Sequence, residues 1–414
     1  MRILHTSDWH LGQHFMGKSR QAEHQDLIAW LLEQVDQHQV DAVLIAGDIF
    51  DTGTPPSYAR ELYSQLVVRL HEAGVALLLL GGNHDSPATL GESRELLARL
   101  GTTVVAAPHA DPATQVIMLS QRNGEPGCLV CAIPFVRPRE VLQSQAGQSA
   151  EEKQQSLQQA IQEHYGAVFA AASERRQALA AAPGPNSGRP LPIIATGHLT
   201  TVGASRSESV REIYVGALEA FPTNAFPGAD YIALGHIHRP QKVGGQEHIR
   251  YCGSPLPLSF DEARQPKAML LVDLSPEGLL AVTPLPVPRF QGMVAISGNL
   301  ASLRAQIGAA AAQGSAGRPA WLEITVAEDD YLADLPARIE ALTQGWPVEV
   351  LRIRRQRGTA AARLDAEASE TLDELSPFEV FARRLQQEDL SNDVQQALNE
   401  RYRAIVAGLE GEAA

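Results

Sequence analysis

Cysteine is almost absent: Cys128, Cys131 and Cys252 are the only three in 414 residues. Three thiols cannot build a disulfide framework, and so low a count fits a reducing compartment. Positive charge is also in short supply, with 34 Lys and Arg against 48 Asp and Glu, a net charge of -14. That sign excludes nucleic-acid binding by bulk charge. Any such role must rest on a local patch, a metal cluster or a partner. Long apolar runs are missing too. None exceeds Val75–Leu80, whereas a membrane span needs about 20 residues. The N-terminus turns polar by Thr6-Ser7-Asp8, which leaves no room for the apolar stretch of a secretory signal. These absences predict a cytoplasmic protein without a membrane segment. No internal repeat is visible.

What is present is ordinary globular material, 44% hydrophobic and 20% charged, enough for two or three domains at roughly 150 residues each. Apolar, β-rich runs recur at Arg2–Thr6, Ala42–Ala46, Val75–Leu80, Thr102–Ala106, Gln115–Leu119, Cys128–Phe135, Pro192–Thr196, Tyr231–Leu234, Ile249–Cys252 and Ala268–Val272. Helical patterns lie between them. In Ala22–His38, Leu27, Leu31 and Val35 recur every four residues and make one apolar stripe. Tyr58–Glu72 and Glu151–Ala182 also read as helices. Strand alternating with helix gives an α/β class. The close succession of the later strands implies an antiparallel portion or a second sheet. Cys128 and Cys131 have C-x-x-C spacing, but in a strand residues three apart face opposite ways, so they read as two core residues and not as a redox or zinc pair.

Ala180–Leu191 reads as a Pro/Gly/Ser-rich surface loop, and Pro284–Pro288 as a stiff linker closing a first domain, residues 1–283. A small α+β second domain over 289–357 follows: strand Met293–Ser297, helix Asn299–Ala312, strand Trp321–Val326, helix Asp334–Leu342, strand Val348–Ile353. After a polar arm from Gly358, a C-terminal helix–loop–helix is expected within residues 371–410. Ser376-Pro377-Phe378-Glu379 makes a capping-box start. Phe378, Phe381 and Leu385 line one stripe, and Val394, Leu398, Tyr402, Ile405 and Leu409 the next.

Short polar blocks directly follow the apolar runs, where open α/β sheets present ligands. Asp8 and His10 are two apart and face one side of an extended segment. Gly47-Asp48-Ile49-Phe50-Asp51 follows a buried strand and reads equally, taken alone, as a metal carboxylate or a helix cap. Gly82-Asn83-His84-Asp85 offers an amide oxygen and an imidazole. Gly197-His198 and Gly235-His236-Ile237-His238 complete the set. Imidazole, carboxylate and amide donors without thiolate favour Mn²⁺, Fe or Zn²⁺.

The order D-x-H, G-D-x-x-D, G-N-H-D, G-H, G-H-x-H resembles the calcineurin-like metallophosphoesterase superfamily. Within it, His198-Leu199-Thr200-Thr201-Val202-Gly203-Ala204-Ser205, Cys252–Glu262 and Ile133-Pro134-Phe135 with Arg137-Pro138-Arg139 are similar to bacterial nuclease subunits that work with an ATPase. The resemblance implies a two-sheet sandwich flanked by helices. It implies two divalent ions, with Mn²⁺ activating: Asp8, His10, Asp48 and His238 around one, and Asp48, Asn83, His198 and His236 around the other. It implies that His84 faces the leaving oxygen, held in its tautomer by the Asp51 carboxylate, with Asp85 as the competitor. The implied activity is exonuclease on duplex DNA and endonuclease on single strands and hairpins. The implied assembly is a homodimer within a heterotetramer, its C-terminal helices gripping the base of the ATPase coiled coil. No G-x-x-x-x-G-K-[ST] loop is present, so the ATPase is another chain. Arg137, Arg139, Arg206, Arg211 and Arg239 near the blocks, and the basic run Arg352, Arg354, Arg355, Arg357, read as DNA contacts or as ordinary solvated charges. A phosphomonoesterase or protein phosphatase is the rival enzyme, but Asp51 is followed by Thr52-Gly53 and not Arg-Gly, and Asp85 closes the G-N-H-x block. A DNA-binding scaffold without activity is the other alternative, against which the intact donor set argues.

Overall fold

A computed structural model describes residues 1–142, 149–182, 188–210, 220–327, 334–355, 398 and 401–402. Two six-stranded sheets dominate. The first runs in the order Gly278–Pro286, Ala268–Ser275, Arg2–Thr6, Ala42–Ala46, Ala76–Leu80, Thr102–Val105. Its last four strands are parallel, and the first two add an antiparallel hairpin at one side. The second runs Gln241–Val243, Gln246–Tyr251, Tyr231–Gly235, Ile193–His198, Pro126–Cys131, Val116–Ser120, parallel inside and antiparallel at both edges.

Strand periodicity explains the layering. In Ala42–Ala46, Val43 and Ile45 join Leu27, Leu31 and Leu66 of the helices Gln21–Gln37 and Ser57–Glu72. Ala42, Leu44 and Ala46 face the other way and meet Val130, Ile194 and Ala233 of the second sheet. Leu157, Ile161, Tyr165 and Val168 of helix Ala150–Ala181 cover that sheet's far face. The result is a helix–sheet–sheet–helix sandwich. A strand covered on both faces reads as a continuous apolar run, which is why these strands stood out in the sequence. Each buried Leu in it contributes about 1.5–3 kcal/mol. Cys128 faces the inter-sheet layer and Cys131 the helix layer, as opposite strand faces require.

One expectation is corrected. Pro284–Pro288 is not a free linker: Pro284 and Pro286 lie in an edge strand, opposite Leu270 and Ala268. An edge strand tolerates proline because one side of its backbone makes no ladder bonds. The hairpin His14–Phe15/Lys18–Ser19 and the strand Gln241–Val243 had no clear sequence signal. Met293–Gly298, Ala320–Val326 and Val348–Arg355 form a three-stranded sheet with helices Leu300–Ala311 and Leu335–Thr343, matching the elements expected there within two residues. By compactness the described residues divide into two units, one from Met1–Ala295, Ile307–Glu323 and Gly345–Leu351, the other from Ile296–Gln306, the described part of Ile324–Gln344 and the described residues from Arg352 onward. The polar arm and nearly all of the expected tail helices lie outside the described residues, as do Arg211 and Arg357.

Two histidines tie acid stability to this core. His5 in the first strand is buried, with Nδ1 2.9 Å from the Tyr231 hydroxyl, and burial pushes its pKa down to about 3. His24 donates from Nε2 to the Trp9 carbonyl at 2.9 Å, and burial and the Arg20 charge push its pKa down to about 4. Both are neutral in the folded chain at a pH where an unfolded histidine is already charged. The unfolded state therefore binds more protons, and stability falls as pH drops from about 6.5 toward 4. Urea unfolding of metal-free protein is expected to show His24 contributing a loss of about 1.4 kcal/mol per pH unit in that window. In His24→Gln the slope should be shallower by that amount; an unchanged slope would refute the assignment.

Candidate metal centre

The polar blocks converge at the carboxyl ends of Arg2–Thr6, Ala42–Ala46 and Ala76–Leu80 in one sheet and of Ile193–His198 and Tyr231–Gly235 in the other. The first two blocks are laced together by their backbones: Asp8 N donates to Gly47 O at 3.0 Å, and Trp9 N and His10 N donate to Asp48 O at 2.9 and 3.1 Å. Asp8, His10, Asp48 and His236 all have positive φ, at 55°, 49°, 51° and 89°. Non-glycine residues adopt this conformation at a cost, typically of about 1–3 kcal/mol. Four instances among the expected ligands mark a backbone bent to aim side chains. The glycines before the ligands have a packing reason. A Cβ on Gly82 would strike the Asp48 carboxylate, and one on Gly47 the His198 ring.

Three sets of donors cluster, each with its ligand atoms within 4.8 Å of one another: Asp8, His10 and His238; His10, Asp48 and His84; and Asp48, His198 and His236. Asp48 belongs to two of them. Its Oδ2 lies 3.2 Å from His198 Nε2 and 3.7 Å from His10 Nε2, while its Oδ1 accepts the His84 amide at 2.9 Å. Asn83 Oδ1 lies 2.9 Å from His198 Nε2 and 3.2 Å from His236 Nδ1. Asp8 accepts the His236 amide at 3.0 Å.

The unlike charges act on one another. Burial opposes the Asp48 carboxylate, but the charges of His198 and His10 outweigh it and hold its pKa well below the usual range. Burial likewise opposes the His198 imidazolium, yet Asp48 raises that pKa to about 9. His10 is raised for the same reason, burial being outweighed by Asp51 and Asp48. His236 is held well below its ordinary value, by burial and then by the charge of His198.

A divalent cation fits these residues. His10 Nε2 and His236 Nε2 are buried with no hydrogen-bond partner among the described residues, a costly state for a polar atom. His198 and His10 turn Nδ1 to Ala46 O at 2.9 Å and Asp51 Oδ1 at 3.1 Å, which aims each Nε2 at the Asp48 carboxylate, where a cation would sit. The nearby Cys252 thiol is buried, bonded to Ser7 at 3.0 Å and pushed up in pKa by that burial, so it stays protonated.

Residues 1–240 match the family described as Calcineurin-like phosphoesterase, and 289–389 the Type 5 capsule protein repressor C-terminal domain. The SbcD subunit of nuclease SbcCD from Escherichia coli (strain K12) is 52% identical over 100% of this chain and 99% of its own length. The chain belongs to the SbcD family of calcineurin-like phosphoesterases. SbcD proteins of Rhodobacter capsulatus and Bacillus subtilis are 36% and 32% identical, covering 83% and 67% of this chain and 87% and 67% of their own. Calcineurin-like phosphoesterases bind divalent metals, and no helix among the described residues of this SbcD family member is long and apolar enough to cross a membrane.

Within the SbcD frame, several side chains sit otherwise than the sequence suggests. His84 Nδ1 is 2.7 Å from the main-chain carbonyl of Asp51, while the Asp51 carboxylate lies on His10. Asp51 thus reaches His84 through its backbone. Asp85 is buried and accepts from the amides of Phe50, Gly82 and Ile49 at 2.9, 2.9 and 3.1 Å, which pins the two loops together. Burial and the Asp48 charge raise its pKa to about 6. Arg137 lies over the Phe135 ring and donates to Asp85 O at 2.9 Å and Gly82 O at 3.3 Å, supporting the loop that carries Asn83 and His84. Arg139, Arg206 and Arg239 are exposed, and Arg239 reaches Ser205 Oγ at 3.3 Å. Sequence reading missed His24 beneath the first block and Glu262 behind His238, 3.2 Å from its Nδ1.

Proposed function

We propose that the chain is the Mn²⁺-dependent nuclease subunit of a complex with the ATPase SbcC, acting on duplex DNA as an exonuclease and on single strands and hairpins as an endonuclease, in DNA processing, repair and recombination. The observation that carries this is Asp48, shared between two donor clusters at the rim of both sheets with His84 alongside. In this reading Asp8, His10, Asp48 and His238 hold one ion and Asp48, Asn83, His198 and His236 the other. Two such ions, when bound, would supply hydroxide at neutral pH and neutralise phosphate oxygens, which would let an acidic protein hold DNA at the site. His84 stands where it can meet the leaving oxygen: half-buried, edge-on to the His10 ring at 4.6 Å. Its Nδ1–H is given to Asp51 O, so Nε2 is the atom that serves the reaction. Arg139, Arg206 and Arg239 are exposed cations in reach of a phosphate backbone.

We assign residues 1–283, with the rest of the edge strand to Pro286, to the nuclease domain, 289–357 to a capping domain that contacts DNA, and 371–410 to SbcC binding, in a cytoplasmic, nucleoid-associated heterotetramer built on a homodimer. Cleavage of linear duplex and hairpin DNA with Mn²⁺, with and without SbcC and ATP, tests the reading. Hydrolysis of phosphomonoesters alone would replace it with the phosphatase reading. Phe381→Glu with Leu385→Glu tests the tail. Burying an unpaired charge costs several kcal/mol, so SbcC affinity is expected to fall by at least about 100-fold while Mn²⁺ binding is kept. Undiminished co-purification would mean that this stripe packs on its own domain.

A further inference from the structure

Behind His238, a buried ion pair closes on the residue from two sides. Glu262 is fully buried in the short turn Phe260–Glu262. Its Oε1 lies 3.2 Å from His238 Nδ1 and accepts from Ser207 Oγ at 2.7 Å and from Ser209 Oγ. Its Oε2 accepts from Lys267 Nζ at 2.6 Å and the Leu258 amide at 3.1 Å. Lys267, also buried, spends its two other protons on Ser254 Oγ and the His238 carbonyl, both at 2.9 Å. Glu262 therefore grips the His238 ring while Lys267 grips its main chain.

The proton positions follow. Ser209 Oγ is 2.7 Å from His238 Nδ1 and has a single proton, which goes to Glu262. It must accept from Nδ1, as must Glu262 itself, since a carboxylate only accepts. His238 is thus fixed as the Nδ1–H tautomer, with the Nε2 lone pair left for the cluster with Asp8 and His10.

We propose that Glu262, with Lys267 as its counter-ion, is the positioning residue that presets His238 as a metal ligand. This rests on the reading of His238 as a ligand. An acceptor-only carboxylate cannot reverse the hydrogen bond, whereas a neutral amide could offer its N–H and turn the ring to the wrong tautomer. Lys267 offsets the buried charge, so the pair adds no net charge beside the ion. It also ties the segment carrying Ser207 and Ser209 to the same ligand.

The test uses the full chain, Mn²⁺ calorimetry, and ¹⁵N spectra of histidine-labelled, metal-free protein. Glu262→Gln should weaken one Mn²⁺ site by about 10–100-fold, the usual effect of losing a ligand's hydrogen-bond partner. The other site should be unchanged, and the His238 signal should move toward the Nε2–H form. His238→Ala should weaken the same site further. If His238→Ala weakens a site while Glu262→Gln binds both ions as wild type, the positioning role is refuted and the ligand reading stands. If His238→Ala binds both ions normally, the ligand reading fails and this one with it. Should Glu262→Gln not fold, Glu262→Gln with Lys267→Met removes both charges and carries the same expectation. The unaltered protein is decisive by itself on one point: an Nε2–H His238 there overturns the proposal.

Discussion

Asp48→Ala is expected to remove Mn²⁺ from both clusters at once and to take DNA cleavage to background. Its Oδ2 lies between His198 Nε2 and His10 Nε2, so among the described residues no other carboxylate serves both. Losing a ligand's hydrogen-bond partner costs up to about 100-fold in metal affinity, and losing the ligand itself should exceed that at each site. The fold should survive, because Asp48 follows the strand Ala42–Ala46 and lies outside the apolar layers. Alanine at a φ of 51° adds a small strain, of about 1 kcal/mol. Asp48→Asn tolerates that conformation better and keeps an oxygen for the His84 amide, so it separates the two effects. Two Mn²⁺ bound by either variant, with normal cleavage, would refute the bridging assignment.

His84→Gln is expected to do the reverse: Mn²⁺ occupancy near wild type, and a cleavage rate lower by about 10²–10⁴, the range for a lost general acid. A parallel drop in metal affinity would make His84 a ligand, a reading its cluster with His10 and Asp48 allows. Asp51→Asn then has a different meaning from the one its spacing suggested. Since the His84 contact runs through the Asp51 carbonyl, the variant keeps it and instead weakens the hold on His10. Its effect should appear in metal affinity before rate.

The sequence disclosed the sandwich strands because a strand covered on both faces is apolar throughout, and it disclosed the polar blocks because they follow those runs directly. It hid what depends on side-chain aim. Asp51 and Asp85 both looked able to orient His84, and only geometry gives the first a carbonyl contact and the second to three amides. Glu262 stands beside Asp261 in the chain, one fully buried and the other exposed, and nothing in the letters separates them. Arg137 looked like any basic residue near a phosphate site, but its Nη2 donates to two backbone carbonyls of the loop that carries Asn83 and His84, while its Nη1 lies 3.7 Å from Glu140. Gly278–Pro286 was obscured by its prolines, which signal a linker everywhere except at a sheet edge.

The cluster of Asp48, His198 and His236 draws one residue from the end of the first sheet and two from the second. Any ion it holds is a clamp between two layers that otherwise meet mainly through apolar contact. Such a cluster cannot exist until the layers have docked, so the unfolded chain has no comparable affinity. By mass action, Mn²⁺ at a hundred times its dissociation constant would add about 2.7 kcal/mol to the folding free energy per site. Chelation would thus do more than silence the enzyme: it would loosen the seam between its two halves, and the melting temperature would follow the free metal concentration.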